Sequence, residues 1–304
     1  MNKVMKNFIL LLLAILLLCG CGKSDRQETS NLNGKKIVFI GDSFLFSGRC
    51  VLPIKDCSEK SRQNDVGYFY QLCKANGMGV SVTNWTFGGK CLDDIMDRYL
   101  CDYTDFNYDY VILSGGRKST ATYEELEKTL DRYVEKFREA NPNVQFLYLV
   151  TSGAHNLSVK ETFPVDVLNN LDKVEKKGIT VVDWGGLVAD LAFGNVEVPG
   201  GTQSYNNYTF VHNRAETDGF HPNQLTGYIT AQMIYCAITG ESAVGQPYDF
   251  WDKDPFDSQE YYEYAYPCGP SNYREVFASP EDMAGIQQLI DRYLEAKPYR
   301  DFHF

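Results

Sequence analysis

The chain has little that could hold a metal and nothing that could grip a polyanion. Only four of its 304 residues are His, and neither a Cys-x-x-Cys nor a His-rich spacing occurs, so no metal-ligand pattern is present. It has no basic run, and its 29 Lys and Arg are outnumbered by 40 Asp and Glu, a formal charge of −11. That balance excludes nucleic acid as an expected partner, and also electrostatic adsorption to a membrane. No internal repeat is visible. Long apolar runs are scarce too, and the clearest lies at the very start.

Lys3 and Lys6 precede an unbroken apolar stretch from Phe8 to Leu18. Eleven residues fall short of the ~20 that a membrane-spanning helix needs, and the layout is that of an export signal. The stretch ends in Leu18-Cys19-Gly20-Cys21, which resembles a bacterial lipobox. Residues 1–20 are therefore expected to be removed as a lipoprotein signal peptide, leaving Cys21 as the lipid-bearing N-terminus. This predicts a lipid-anchored, extracytoplasmic protein of the bacterial cell envelope, tied to the membrane through Cys21 alone. Past Cys21, residues 22–34 hold one large apolar residue, so 21–34 read as a flexible tether and the folded domain is expected over 35–304.

A domain of this size can bury a core without disulfides. Cys73, Cys91 and Cys236 sit in apolar helical patterns and read as small core residues. Cys50 and Cys57 bracket an expected surface loop, where a bridge between them is left open.

Short apolar runs at 36–40, 79–84, 109–114, 145–150 and 179–183 read as strands covered on both faces. Helical spacing occupies 64–76, 122–140, 165–177, 184–193, 224–239 and 280–296. In 122–140, Leu126, Leu130, Tyr133, Val134 and Phe137 share one face. The last helix has a marked start, with Ser279 as N-cap, Pro280 at the first position, then Glu281 and Asp282. Five strands alternating with helices predict an α/β fold, a three-layer α/β/α sandwich around a five-stranded parallel sheet. Residues 245–278 are aromatic-rich and aperiodic, and read as an irregular excursion of the same domain.

The first strand runs into Gly41-Asp42-Ser43, which puts a serine in a sharp turn at the C-terminal edge of the sheet, where open α/β sheets place their ligands. Far along the chain, Asp218-Gly219-Phe220-His221-Pro222 carries an Asp and a His three residues apart. Serine is a weak nucleophile and needs a base within reach. His221 suits that role because its unperturbed pKa lies near neutrality, and Asp218 can hold the imidazole tautomer.

In these motifs the chain resembles the SGNH (GDSL-type) hydrolases over about residues 35–240 and the final helix. The first family block matches Gly41-Asp42-Ser43, the second matches Asn84-Trp85-Thr86-Phe87-Gly88-Gly89 with Gly89 in register, and the fourth matches Asp218 and His221. The third block, Gly-x-Asn-Asp in the family, reads Gly116-Arg117-Lys118-Ser119 here. The resemblance implies a flavodoxin-like SGNH fold and a Ser43–His221–Asp218 triad, with the oxyanion held by the amides of Ser43 and Gly89. The family's Asn donor is missing, and losing one such donor typically costs ~10²–10³ in rate. Arg117 and Lys118 are the candidates for a substituting contact with substrate or oxyanion.

The implied activity is a serine esterase that needs no cofactor, acting on an acylated carbohydrate or small ester. An acyltransferase on a glycan remains an alternative, as does a catalytically degenerate glycan-binding lipoprotein. His155 and His212 read as loop residues. The aromatics of the 245–278 excursion read as cover for the sheet edge.

Overall fold

The computed structural model describes residues 31–51, 62–63, 67–98, 100, 103–115, 122–151, 165–202, 204–205, 210, 221–248 and 279–297. The signal segment, Cys21, Cys57, Arg117, Lys118, His155, His212, Asp218 and most of the aromatic excursion lie outside them. In chain order the strands are β1 (Lys36–Gly41), β2 (Arg62–Gln63), β3 (Ser81–Thr86), β4 (Tyr110–Ser114), β5 (Gln145–Leu149) and β6 (Ile179–Val182). The helices are α1 (Ser43–Ser47), α2 (Tyr68–Ala75), α3 (Leu92–Arg98), α4 (Tyr123–Ala140), α5 (Val165–Leu168), α6 (Leu171–Lys176), α7 (Trp184–Phe193), α8 (Gln224–Thr239) and α9 (Pro280–Ala296).

Alternation along the strands makes the layers. Ile37 and Phe39 of β1 join α1, α2, α7, α8 and α9 in one core, while Val38 and Ile40 join α3, α4 and α6 in the other. The sheet order is β2-β3-β1-β4-β5-β6, with β3, β1, β4, β5 and β6 all parallel. The expected five-stranded parallel sheet in a three-layer sandwich is therefore present, extended by the two-residue antiparallel β2 at the β3 edge. The order turns back at β1, which has β3 on one side and β4 on the other, and the C-terminal strand ends at such a reversal are where open α/β sheets place their ligands.

Local chemistry explains where two of the longest helices start. Helix α4 begins with a capping box: Thr122 Oγ1 accepts from the Glu125 N–H at 3.3 Å, and Glu125 Oε2 accepts from the Thr122 N–H at 3.2 Å. Leu126, Leu130, Tyr133 and Phe137 are buried along its predicted face, with Val134 partly buried. At α9, Ser279 Oγ accepts from the Asp282 N–H at 3.2 Å, which makes it the N-cap the sequence predicts.

Four expectations need correction, the first being the helix expected over 64–76, which is α2 and starts at Tyr68 after an extended Gly67. The helix expected over 165–177 is broken into α5 and α6, because the Asn170 side chain donates to the Asp166 carbonyl at 2.6 Å and competes with the helical ladder there. The second strand runs 81–86 rather than 79–84. Gly79 is held outside the ladder by Asn33 and Gly34, while Thr86 pairs with Gly41. Cys50 lies not in a surface loop but in the core. It is a free thiol, wholly buried, and burial alone pushes its pKa up. Cys91 is only partly buried, just ahead of α3.

Candidate active site

Strand β1 ends at Gly41, where nothing larger fits. A Cβ at Gly41 would lie 2.8 Å from Ser114 Cβ and 2.9 Å from the Ser114 carbonyl oxygen on β4. The chain then turns sharply. Asp42 caps α1 by accepting the Phe44 N–H at 3.0 Å, which leaves Ser43 as the first helical residue. A first-position N–H has no acceptor within its own helix.

The turn after β3 lies beside this one. The Phe87 N–H donates to the Gly41 carbonyl at 2.8 Å, and the Lys90 N–H closes a turn on the Phe87 carbonyl at 3.2 Å. Gly89 is the third residue of that turn with φ +68°, a conformation that favours glycine. The neighbouring Gly88 faces Phe46 of α1, its Cβ position 3.7 Å from the ring. Ser43 and Gly89, matched to two separate family blocks, thus stand on adjacent loops at the same sheet edge.

His221 arrives from the far end of the chain. It precedes Asn223, the N-cap of α8, whose Oδ1 accepts the Thr226 N–H at 3.2 Å. Ser43 Oγ and His221 Nε2 are 2.8 Å apart, hydrogen-bond distance, and both residues are buried. For the hydroxyl to donate to Nε2, the ring proton must sit on Nδ1. Phe44 flanks the imidazole, with ring centroids 5.7 Å apart. Of the residues predicted from sequence, the structure brings together Ser43 and His221, with Gly89 on the neighbouring turn. Asp218, Arg117 and Lys118 are outside the described residues.

Sequence reasoning missed what holds the pair. Helix α1 ends at Gly48, and a Cβ there would lie 2.7 Å from the Asn223 carbonyl oxygen and 2.8 Å from Gly227 Cα. The end of the serine helix and the start of the histidine helix therefore meet with no side chain between them. The available signal was Gly227 itself, a glycine inside a helix where it costs ~1 kcal/mol relative to Ala. Three polar side chains on the α1 side of the sheet (Asn84, Thr86 and Ser114) are also buried without a hydrogen-bond partner among the described residues.

No family model matches the chain, and no curated protein does. Solved structures do. A protein described as a GDSL-like lipase from Parabacteroides merdae is similar at 18% identity and TM-score 0.48, over 70% of this chain and 99% of that one. A variant of Axe2, an acetyl-xylooligosaccharide esterase from Geobacillus stearothermophilus, is similar at 16% identity and TM-score 0.46, over 70% and 97%. LAE5, an alpha/beta hydrolase enzyme from the metagenome of Lake Arreo, is similar at 22% identity and TM-score 0.45, over 68% and 96%.

Proposed function

We propose that the chain is a serine ester hydrolase of the SGNH type. The observation that carries this reading is the 2.8 Å approach of Ser43 Oγ to His221 Nε2 at the C-terminal edge of a parallel sheet, beside the reversal of strand order. In this reading Ser43 attacks the acyl carbonyl while His221 takes its proton. The amides of Ser43 and Gly89 receive the oxyanion, supplemented by Arg117 or Lys118. Asp218 is the carboxylate assigned to orient the imidazole. His221 then protonates the leaving alcohol, activates water, and releases the acid.

The substrate in this reading is an acetyl or other short acyl ester on a glycan or small alcohol. The site of action is outside the cytoplasmic membrane, reached through the lipid on Cys21. Both follow from the lipobox and the family resemblance.

The test is trapping with a fluorophosphonate probe together with hydrolysis of p-nitrophenyl esters of graded acyl length. Labelling is expected at Ser43, with acetate turned over best. Ser43→Ala or His221→Ala is expected to lower kcat by at least ~10³. Background rates for the wild type at every acyl length, with no label on Ser43, would sink the hydrolase.

A further inference from the structure

His221 stands on a loop, yet a base must be held to within a fraction of an ångström of its serine. The side that faces α8 is fixed by a chain of contacts reaching back to the last helix. Asp282, in the first turn of α9, is fully buried. Its Oδ1 accepts the Thr202 N–H at 2.5 Å, and its Oδ2 accepts the Tyr205 hydroxyl at 2.9 Å. The Tyr205 ring stacks on Phe210, with centroids 5.7 Å apart and planes 27° from parallel. The Phe210 carbonyl in turn accepts the Asn223 N–H at 3.1 Å and the Thr226 Oγ1 hydroxyl at 2.6 Å. Asn223 lies two residues from His221. Each link is either a hydrogen bond to a buried charge or main chain, or a stacked ring pair, so displacement at one end is passed to the other.

We propose that Asp282 and Tyr205 are positioning residues for His221, setting its distance from Ser43 through Phe210 and the N-terminal turn of α8. The proposal rests on the esterase reading for its kinetic consequence and on geometry alone for its structural one. A matched contact supplies the control. At the other end of α9, Tyr293 donates to Asp190 of α7, another tyrosine–aspartate tie from the same helix, but one made to α7 rather than to the segment that bonds the N-terminal turn of α8.

The experiment compares Tyr205→Phe, Thr226→Val and Tyr293→Phe for ester hydrolysis, thermal midpoint and the NMR signal of the His221 imidazole. Tyr205→Phe keeps the ring stack and loses the bond to Asp282. Thr226→Val loses one of the two bonds to the Phe210 carbonyl. Each is expected to lower kcat roughly tenfold at unchanged KM and to move the His221 signal. The double variant is expected to lose little more than either single one, because both break one chain. Tyr293→Phe is expected to lower the thermal midpoint and leave kcat and the His221 signal at wild-type values. Wild-type kcat and an unmoved His221 signal in a folded Tyr205→Phe overturn the proposal, as do fully additive losses or equal effects from Tyr293→Phe. If Ser43→Ala turns over ester like the wild type, it is the esterase reading that fails, and the His221 signal alone then decides the positioning role.

Discussion

A Cβ on Gly227 would lie 1.6 Å from the carbonyl oxygen of Gly48, so these two residues touch main chain to main chain. One ends the helix that carries Ser43; the other lies in the first turn of the helix that follows His221. Contact this close leaves no tolerance for a side chain.

Gly227→Ala is therefore expected to push α8 away from α1 and lengthen the Ser43–His221 approach. A displacement of about 1 Å is enough to cost ~10²-fold in rate. Fluorophosphonate labelling of Ser43 should slow by at least that factor in protein that still folds. Labelling at the wild-type rate would show that the two helices can part without disturbing the pair.

Gly41→Ala tests the other wall of the site. Its new methyl meets Ser114 Cβ at 2.8 Å, the Ser114 carbonyl at 2.9 Å and Leu45 Cδ1 at 3.0 Å. Overpacking of this kind typically costs ~1–3 kcal/mol. Ser114→Gly should restore only part of the loss, because the main-chain and Leu45 contacts remain. Full restoration in a denaturant titration would contradict this geometry.

Asp183 predicts a pH dependence of stability. It caps α7 by accepting the Gly186 N–H at 2.8 Å, and burial, with the nearby Asp190 adding to it, raises its pKa from 3.8 to about 7. Between those values the folded state holds a proton that the unfolded state gives up. Stability must therefore fall as pH rises through this window. A shift of about three units corresponds to ~4 kcal/mol at most. Asp183→Asn cannot titrate there, so it should be more stable than the wild type above pH 7 and lose that advantage toward pH 4. Parallel stability curves for the two proteins across this range would refute it.

Asn84 is fully buried on β3, and among the described residues neither the oxygen nor the nitrogen of its amide has a partner. An unsatisfied buried polar group carries a desolvation cost of ~1–3 kcal/mol. Asn84→Leu, which keeps the number and branching of the side-chain heavy atoms, is expected to raise the urea midpoint with the slope unchanged. A lowered midpoint would mean that the amide makes a stabilising interaction inside the core.

The layers and the site were legible to different depths. Apolar runs such as Val111–Leu113 can satisfy both faces of a sheet only as buried parallel strands, so the sandwich could be read directly from their spacing with helices. Helices α7, α8 and α9 have the expected bounds because caps mark them: Asp183, Asn223 and Ser279 start them, while Gly194 and Gly240 end two of them in the left-handed conformation. Helices α1 and α3 were missed because five and seven residues complete too few turns to show a period. At the site, Ser43 and His221 could be recognised because reactive residue types in a fixed chain order carry information. Gly48, Phe210 and Asp282 could not. They contribute through a carbonyl, a ring face and a carboxylate whose neighbours are set only by the finished fold.

Ser43 and His221 are 178 positions apart in the chain. The serine is among the first residues of the domain to be synthesised and the histidine among the last third. Contacts of such separation form late, after the intervening loop entropy has been overcome. Until α8 docks against α1, the polypeptide carries a hydroxyl with no base beside it. In the proposed hydrolase, an incompletely folded chain therefore has no assembled Ser43–His221 pair, which forms only when the first and last thirds of the domain have met.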